Sequence, residues 1–265
     1  MASFHSLYKY EIVLLNIRGA RSNKENLENY LAEMQYPEII CLNETKLPQN
    51  KHYEINGYTI SARREHSVIG GSRGSMILTR NDVSGVVELE NLKQSFKFDE
   101  IIGIEIQKTS SRPSIKVFCY YNPPLTSPNP AILRQLASEH GNCVLVGDLN
   151  CKNTMWGSTR NDTRGIDLLQ CLSDCNLITF NNGSHTRCDP STGKEESLDL
   201  AIGNADCAKI FKEFWVGFDV GSDHYPVHAL FQFKSPVSAN PLKVRKYEKM
   251  NVTKWNHILR EASPI

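Results

Sequence analysis

The chain has 265 residues, 40% hydrophobic and 22% charged, with a net charge of +1 and a pI of about 7.6. That length buries a sizeable core in one large domain or two small ones, and the composition is ordinary for a soluble globular protein. No run reaches the ~18 apolar residues of a membrane span, and the near-neutral total neither demands nor excludes a nucleic-acid partner, because a local basic groove can hide inside it.

"MASFHSLYKY" has no apolar core of a signal peptide. "YEIVLLNIRG" then reads as a buried strand ending in Asn16 and Gly19. "SNKENLENYLAEMQY" reads as a helix, with Ser22 as cap, Glu25 three residues on, and Leu27, Tyr30, Leu31 and Met34 along one face. "PEIICLNETK" is a second buried strand. From Tyr58 to Tyr121 the pattern becomes strands without helices: "GYTISAR", "GSMILTR", "GVVELE", "DEIIGIEIQ" and "SIKVFCYY". "NPAILRQLASEHG" is a helix with a glycine stop, "NCVLVGDLN" a strand, and "TRGIDLLQCLSDCN" a helix turning Leu168, Leu169 and Leu172 inward. "LITFNN", "SLDLAIG", "FWVGFDV" and "HALFQF" are strands again.

Strand, helix and strand followed by a run of strands occurs twice. This order predicts an α/β four-layer sandwich, two mixed β-sheets packed face to face with helices outside, over residues 1–233. Residues 234–265 change character: "KSPVSANPLKVRKYEKM" reads as a basic linker. "NVTKWNHILREA" follows as the start of another helix, with Trp255, Ile258 and Leu259 on one side, as though the chain were cut from something longer. The eight cysteines show no zinc spacing, and Cys41, Cys119 and Cys143 lie in apolar runs. Reduced core thiols are the expectation, and with them a cytosolic or nuclear compartment.

Polar residues gather at strand ends: Asn16 in "LLNIRG", Glu44 in "CLNETK", Asp148 and Asn150 in "VLVGDLN", and Asp199 in "ESLDLAI". A carboxylate inside an apolar strand is costly unless paired, so Asp199 needs a partner. The "SDH" triplet offers an acid and a base in Asp223 and His224. Glu, Asp and Asn oxygens suit a hard Mg²⁺ ion, and a histidine held by an aspartate can stabilise charge or move protons. Each signal alone is a common turn feature. Together, in this order, they point to a catalytic site.

"LNIRG", "LNETK", "YYNPP", "GDLN", "SLDL" and "SDHYPV" in this order resemble the endonuclease/exonuclease/phosphatase superfamily, with its DNase I-like fold. Within it, "GDLNCKNTMWGSTRNDTRG" and "GGSRGSMILTR" resemble the apurinic/apyrimidinic endonuclease-like domain of jockey-like non-LTR retrotransposons. The resemblance covers residues 10–233. It implies that Glu44 is the principal Mg²⁺ ligand, with Asn16 and Asp223 assisting and Mn²⁺ as a substitute. It implies that Asp148 activates water, Asn150 holds the phosphate or that water, and His224 contacts a phosphate oxygen with Asp199 fixing its tautomer. Tyr121 would hydrogen-bond the phosphate or leaving group, leaving Tyr120 to the core.

The implied reaction is hydrolysis of a phosphodiester in double-stranded DNA, leaving 3′-hydroxyl and 5′-phosphate ends. The 3′-hydroxyl would prime a reverse transcriptase carried in the same polyprotein, in the nucleus after synthesis in the cytoplasm, with the isolated domain a monomer and no membrane involved. "FNNGSHTRCDPSTGKEESLDL" reads as a hairpin, which in similar enzymes enters the DNA groove. Ser222, Thr186, Arg187, Lys194, Arg160, Asn161 and Arg164 are therefore candidate DNA contacts. Trp156 is expected to pack beneath the site. Two related activities compete: a phosphodiesterase or phosphatase acting on a small phosphorylated substrate, and a DNA-repair abasic endonuclease. The extra aromatic and Met loops of abasic-site enzymes are missing.

Overall fold

The computed structural model describes residues 8–48, 51–65, 73–109 and 112–233. The expected linker and following helix at 234–265 lie outside them, as do residues 70–72 at the start of the Gly-rich segment. In chain order the elements are β1 (Tyr8–Asn16), α1 (Lys24–Glu33), β2 (Ile39–Asn43), β3 (Tyr58–Arg64), β4 (Ser75–Arg80), β5 (Val86–Glu88), α2 (Asn91–Ser95), β6 (Glu100–Ile106) and β7 (Ile115–Tyr121). Then come α3 (Pro130–Ser138), β8 (Asn142–Asp148), a 3₁₀ turn (Thr154–Trp156), α4 (Thr163–Asp174), β9 (Ile178–Thr179), β10 (Arg187–Cys188), β11 (Glu195–Glu196), β12 (Asp199–Gly203), α5 (Ala205–Ile210), β13 (Phe211–Val216) and β14 (Val227–Phe233).

Two six-stranded sheets form, in the orders β13-β14-β1-β2-β4-β3 and β5-β6-β7-β8-β12-β9. Each is built around one parallel pair joined by a helix, β1 with β2 through α1 and β7 with β8 through α3, flanked by antiparallel strands. A parallel neighbour demands such a crossover, which is why the helical segments fall where they do. The central strands are near-continuous apolar runs because both of their faces are covered.

Alternation along each strand divides the core into three. Ile12, Leu14, Cys41 and Ile77 of the first sheet meet Ile102, Ile104, Val117, Val144, Val146 and Ala201 of the second. The opposite faces carry the helices: α1 covers Val13, Leu15, Ile40 and Leu42 with Leu27, Tyr30 and Leu31. Ile132, Leu133 and Leu136 of α3 and Leu168 and Leu172 of α4 cover Phe118, Tyr120, Leu145 and Leu200. The result is the four-layer sandwich expected from the order of elements.

Local differences have local causes. Ser22 does not cap α1: its hydroxyl donates to the Gly19 carbonyl 3.0 Å away, and Asn23 takes the cap position without a side-chain bond to the helix, its Nδ2 donating to the Ile17 carbonyl instead. The short helices α2 and α5 were not expected. One turn shows no periodicity, and α5 is set by Asn204, whose Oδ1 accepts from Cys207 N at 3.0 Å. Leu169 only half-packs against the core, and β13 stops at Val216, short of the Phe218–Val220 segment once read as strand. All eight cysteines are free thiols, among them the buried Cys41, Cys119 and Cys143.

Gly147 of "GDLN" has a packing reason. A Cβ there would lie 1.7 Å from the Tyr120 carbonyl oxygen on the neighbouring strand. Backbone cannot yield as a side-chain tip can. Gly147→Ala is therefore expected to lower unfolding free energy by about 3 kcal/mol or more, read as a shift of the urea midpoint; an unchanged midpoint would mean β7 and β8 are less close than described.

Candidate active site

The inward rows of the two sheets turn polar at one end. Alternation carried one step past the apolar residues brings in Asn16 on β1, Asn43 on β2, Ser75 on β4, Glu100 on β6, Tyr121 on β7, Asp148 on β8 and Asp199 on β12. Register aligns them: Asn16 pairs with Asn43, Glu100 with Tyr121, and Asp199 with Asp148. Cross-sheet bonds close the end. Asn16 Nδ2 donates to Asp148 Oδ2 at 2.9 Å and to Glu44 Oε1 at 3.0 Å. Tyr121 OH donates to the same Glu44 oxygen at 2.9 Å. Asn43 Oδ1 accepts from Asp148 N at 3.1 Å.

His224 enters from the turn before β14. Its Nδ1 donates to Asp199 Oδ2 at 2.8 Å, and its Nε2 stands 3.8 Å from Asp148 Oδ2. The first contact fixes the ring's orientation; the second leaves Nε2 facing a carboxylate without a bond. Asp148, Asp199 and His224 bring one ligand atom each within 4.8 Å of one another, a donor grouping suited to a divalent cation. A second buried histidine, His228, provides contrast: Glu11 Oε1 takes its Nδ1 at 2.9 Å, the Tyr30 hydroxyl meets its Nε2, and Trp215 stacks on the ring. That histidine is closed on every side, whereas His224 is poised.

Burial raises the Asp148 carboxyl to about 7, with Asp199 adding to the rise against His224 and the Asn16 amide. Burial alone would lower the His224 pKa; Asp199 and then Asp148 outweigh it and lift it to about 9. Near neutrality the ring is therefore a cation beside a carboxyl group close to its midpoint. Burial, reinforced by Glu44 and Asp148, pushes the Tyr121 phenol far up, so it acts as a hydrogen-bond donor.

Four non-glycine residues around this end adopt the left-handed backbone: Arg18 (φ 48), Glu44 (φ 49), Lys46 (φ 51) and Asn150 (φ 50). Each costs roughly 1 kcal/mol or more. Hydrogen bonds hold them, Gly19 N to Glu44 O at 2.9 Å and Asn150 N to Asp148 Oδ1 at 3.0 Å. Asn150 Nδ2 also donates to the Asn122 carbonyl at 3.0 Å.

The remaining candidates separate. Ser222 staples the turn: its hydroxyl donates to Asn16 O at 2.7 Å and accepts from His224 N at 3.2 Å. Thr186, expected as a DNA contact, is fully buried, which corrects that expectation. Its hydroxyl donates to Asp199 Oδ2 at 2.6 Å and accepts from the backbone of Leu198 and Asp199, so it orients the aspartate. Asp223, expected near Glu44, instead receives Arg18 and Arg187. Arg187 opens the expected hairpin, formed by β10 and β11, and bridges to His224 through the backbone.

Lys194 pairs with Glu196 at 3.3 Å and Arg164 with Asp162 at 3.0 Å, while Asn161 Oδ1 caps Thr154 N at 2.8 Å. Arg160 is exposed. Trp156 is fully buried in the layer under α4, with Nε1 donating to the Cys151 carbonyl. Sequence reading missed Asn43, Ser75, Glu100 and Arg18. The first three continue the inward alternation and were legible from it once register was known.

Residues 115–228 match the family model Endonuclease-reverse transcriptase. Among curated proteins, the "Probable RNA-directed DNA polymerase from transposon BS" of Drosophila melanogaster is 23% identical over 247 residues, 89% of this chain and 26% of the relative. The chain thus spans about a quarter of that relative's length. Among solved structures, the endonuclease domain of TRAS1, a telomere-specific non-LTR retrotransposon, aligns with a TM-score of 0.69 at 20% identity, covering 84% of this chain and 98% of that one. An AP endonuclease from Leishmania major aligns with a TM-score of 0.69 at 14% identity, covering 85% and 88%. A 3′ phosphatase from Neisseria bound to a product DNA hairpin gives 0.66 at 19%, covering 84% and 100%. The resemblance read from the sequence and the DNase I-like fold are both borne out.

Proposed function

We propose, from the premise that this chain resembles the endonuclease domains of non-LTR retrotransposons, that it is a Mg²⁺-dependent DNA endonuclease. It nicks duplex DNA to leave a 3′-hydroxyl and a 5′-phosphate. The observation that carries this reading is the cross-sheet constellation in which Asn16 ties Glu44 to Asp148 while Asp199 orients His224.

Glu44 and Asn16 fit a hard divalent cation. Both offer oxygens at strand ends, and among the described residues Glu44 Oε2 has an ion pair to Lys46 at 3.6 Å. When bound, the ion supplies positive charge to a phosphate oxygen. The chain's own groups do the rest. His224, held as a cation, donates toward the phosphate and balances charge developing there. Asp148 takes the proton of the attacking water, its raised pKa making it an effective base near neutrality. Asn150 and Tyr121 orient the phosphate. The 3′-hydroxyl then primes a reverse transcriptase in the same polyprotein. On this reading the domain acts in the nucleus, as a monomer, over residues 1–233.

The test is conversion of supercoiled plasmid to open circle with Mg²⁺ or EDTA. Mg²⁺-dependent nicks whose 3′ ends a polymerase extends are expected. Intact plasmid together with phosphate release from a small phosphorylated substrate would instead make the chain a phosphatase.

A further inference from the structure

Beside the cluster that carries the chemistry lies a second one that the mechanism does not use. We propose that Arg18 and Arg187, aimed by Asp223, form a phosphate clamp that grips the DNA backbone next to the scissile bond. The inference rests on the nuclease reading and gives Asp223 a role other than metal binding.

The geometry is convergent. Arg18 follows β1 and Arg187 opens the hairpin, yet both reach one carboxylate oxygen: Asp223 Oδ2 lies 3.0 Å from Arg18 Nη1 and 2.9 Å from both Nε and Nη2 of Arg187. The Asp223 side chain is 4% exposed, those of Arg18 and Arg187 47% and 27%. Both guanidiniums crowd Oδ2, while Oδ1 stays buried without a hydrogen-bond partner among the described residues. A second guanidinium at the same oxygen adds like-charge repulsion, which a bound anion would relieve. Asp189 does not fill that place: it sits in the exposed hairpin loop, 3.7 Å from Arg187 Nη2.

Two further observations agree. Arg18 Nε and Nη2 and Arg187 Nη1 have no partner among the described residues; the Arg18 side chain is exposed and Arg187 Nη1 is not a buried atom, so these donors are open to solvent. Their forked arrangement is the one that matches phosphate oxygens. Finally, the clamp abuts the site on both sides. Arg18 lies two residues past Asn16, and Arg187 bridges to His224.

The experiment is a fluorescence-anisotropy titration of a labelled duplex with the full chain in EDTA, where no cleavage occurs, repeated across a salt series. Arg18→Ala and Arg187→Ala are each expected to weaken binding about tenfold, equally for unrelated sequences, and to reduce the slope of log affinity against log salt by about 1. Both side chains reach solvent, so these variants keep the fold, which a melt verifies. Asp223→Asn is the sharper arm. Deleting a bystander's negative charge would tighten DNA binding, whereas losing the group that aims two arginines weakens it. Nicking by Asp223→Asn should show a raised KM with the Mg²⁺ midpoint of wild type. Wild-type affinity in both arginine variants, tighter binding by Asp223→Asn, or a shifted Mg²⁺ midpoint would overturn the clamp while leaving the nuclease reading intact. Wild-type protein that neither binds nor nicks duplex DNA would overturn that reading, and the clamp with it.

Discussion

Nicking by His224→Ala is expected to be about 10³-fold slower than wild type, equivalent to about 4 kcal/mol of transition-state stabilisation. The ring stands between Asp148 and Asp199, and both carboxylates raise its pKa to about 9. Alanine removes that charge and leaves two buried acids without their counterion, so the variant is also less stable. His224→Gln keeps a donor toward Asp199 without the charge. It should recover stability in a thermal melt but little of the rate.

The pH profile gives the same reading a sign. Asp148 must lose its proton to act as base, so the rate rises as pH passes about 7. His224 must keep its proton to act as a cation, so the rate falls as pH passes about 9. His224→Gln should lose the alkaline limb and retain the acidic one. Wild-type nicking by either variant, or an alkaline limb that survives in His224→Gln, would remove the histidine from the chemistry.

Glu44→Gln carries the second large effect. Its Oε1 accepts from both Asn16 and Tyr121, so shape and acceptor can persist in the amide while the negative charge is lost. The expected result is a nicking rate about 10³-fold lower at limiting Mg²⁺ and a Mg²⁺ midpoint raised about 10-fold or more. Calorimetric titration of Mg²⁺ without DNA reads the same loss independently of turnover. If the midpoint does not move, the cation is held elsewhere, with the Asp148–Asp199–His224 grouping as the next place to substitute.

The contrast between neighbours explains what a linear reading can and cannot reach. Asp223 and His224 are adjacent in the triplet, and both were expected at the centre. Asp223 lies in a bend just before His224, so no strand alternation could tell from the sequence which way each side chain leaves: His224 reaches Asp199 while Asp223 reaches Arg18 and Arg187. Thr186 looked like a surface residue at a hairpin base, because nothing local shows that Asp199, 13 residues on, folds back over its hydroxyl.

By itself the sequence determined the layers. Unbroken apolar strands and two amphipathic crossover helices can bury their surfaces only as two sheets faced by helices, and the acids and amides ending those strands were visible because polar groups in apolar strands need a reason. The tertiary structure decided who meets whom. Bonds such as Asn16 to Asp148, 132 residues apart, depend on strand register and on the pairing of two sheets. A shift of one residue in that register would send the same side chain to the opposite face.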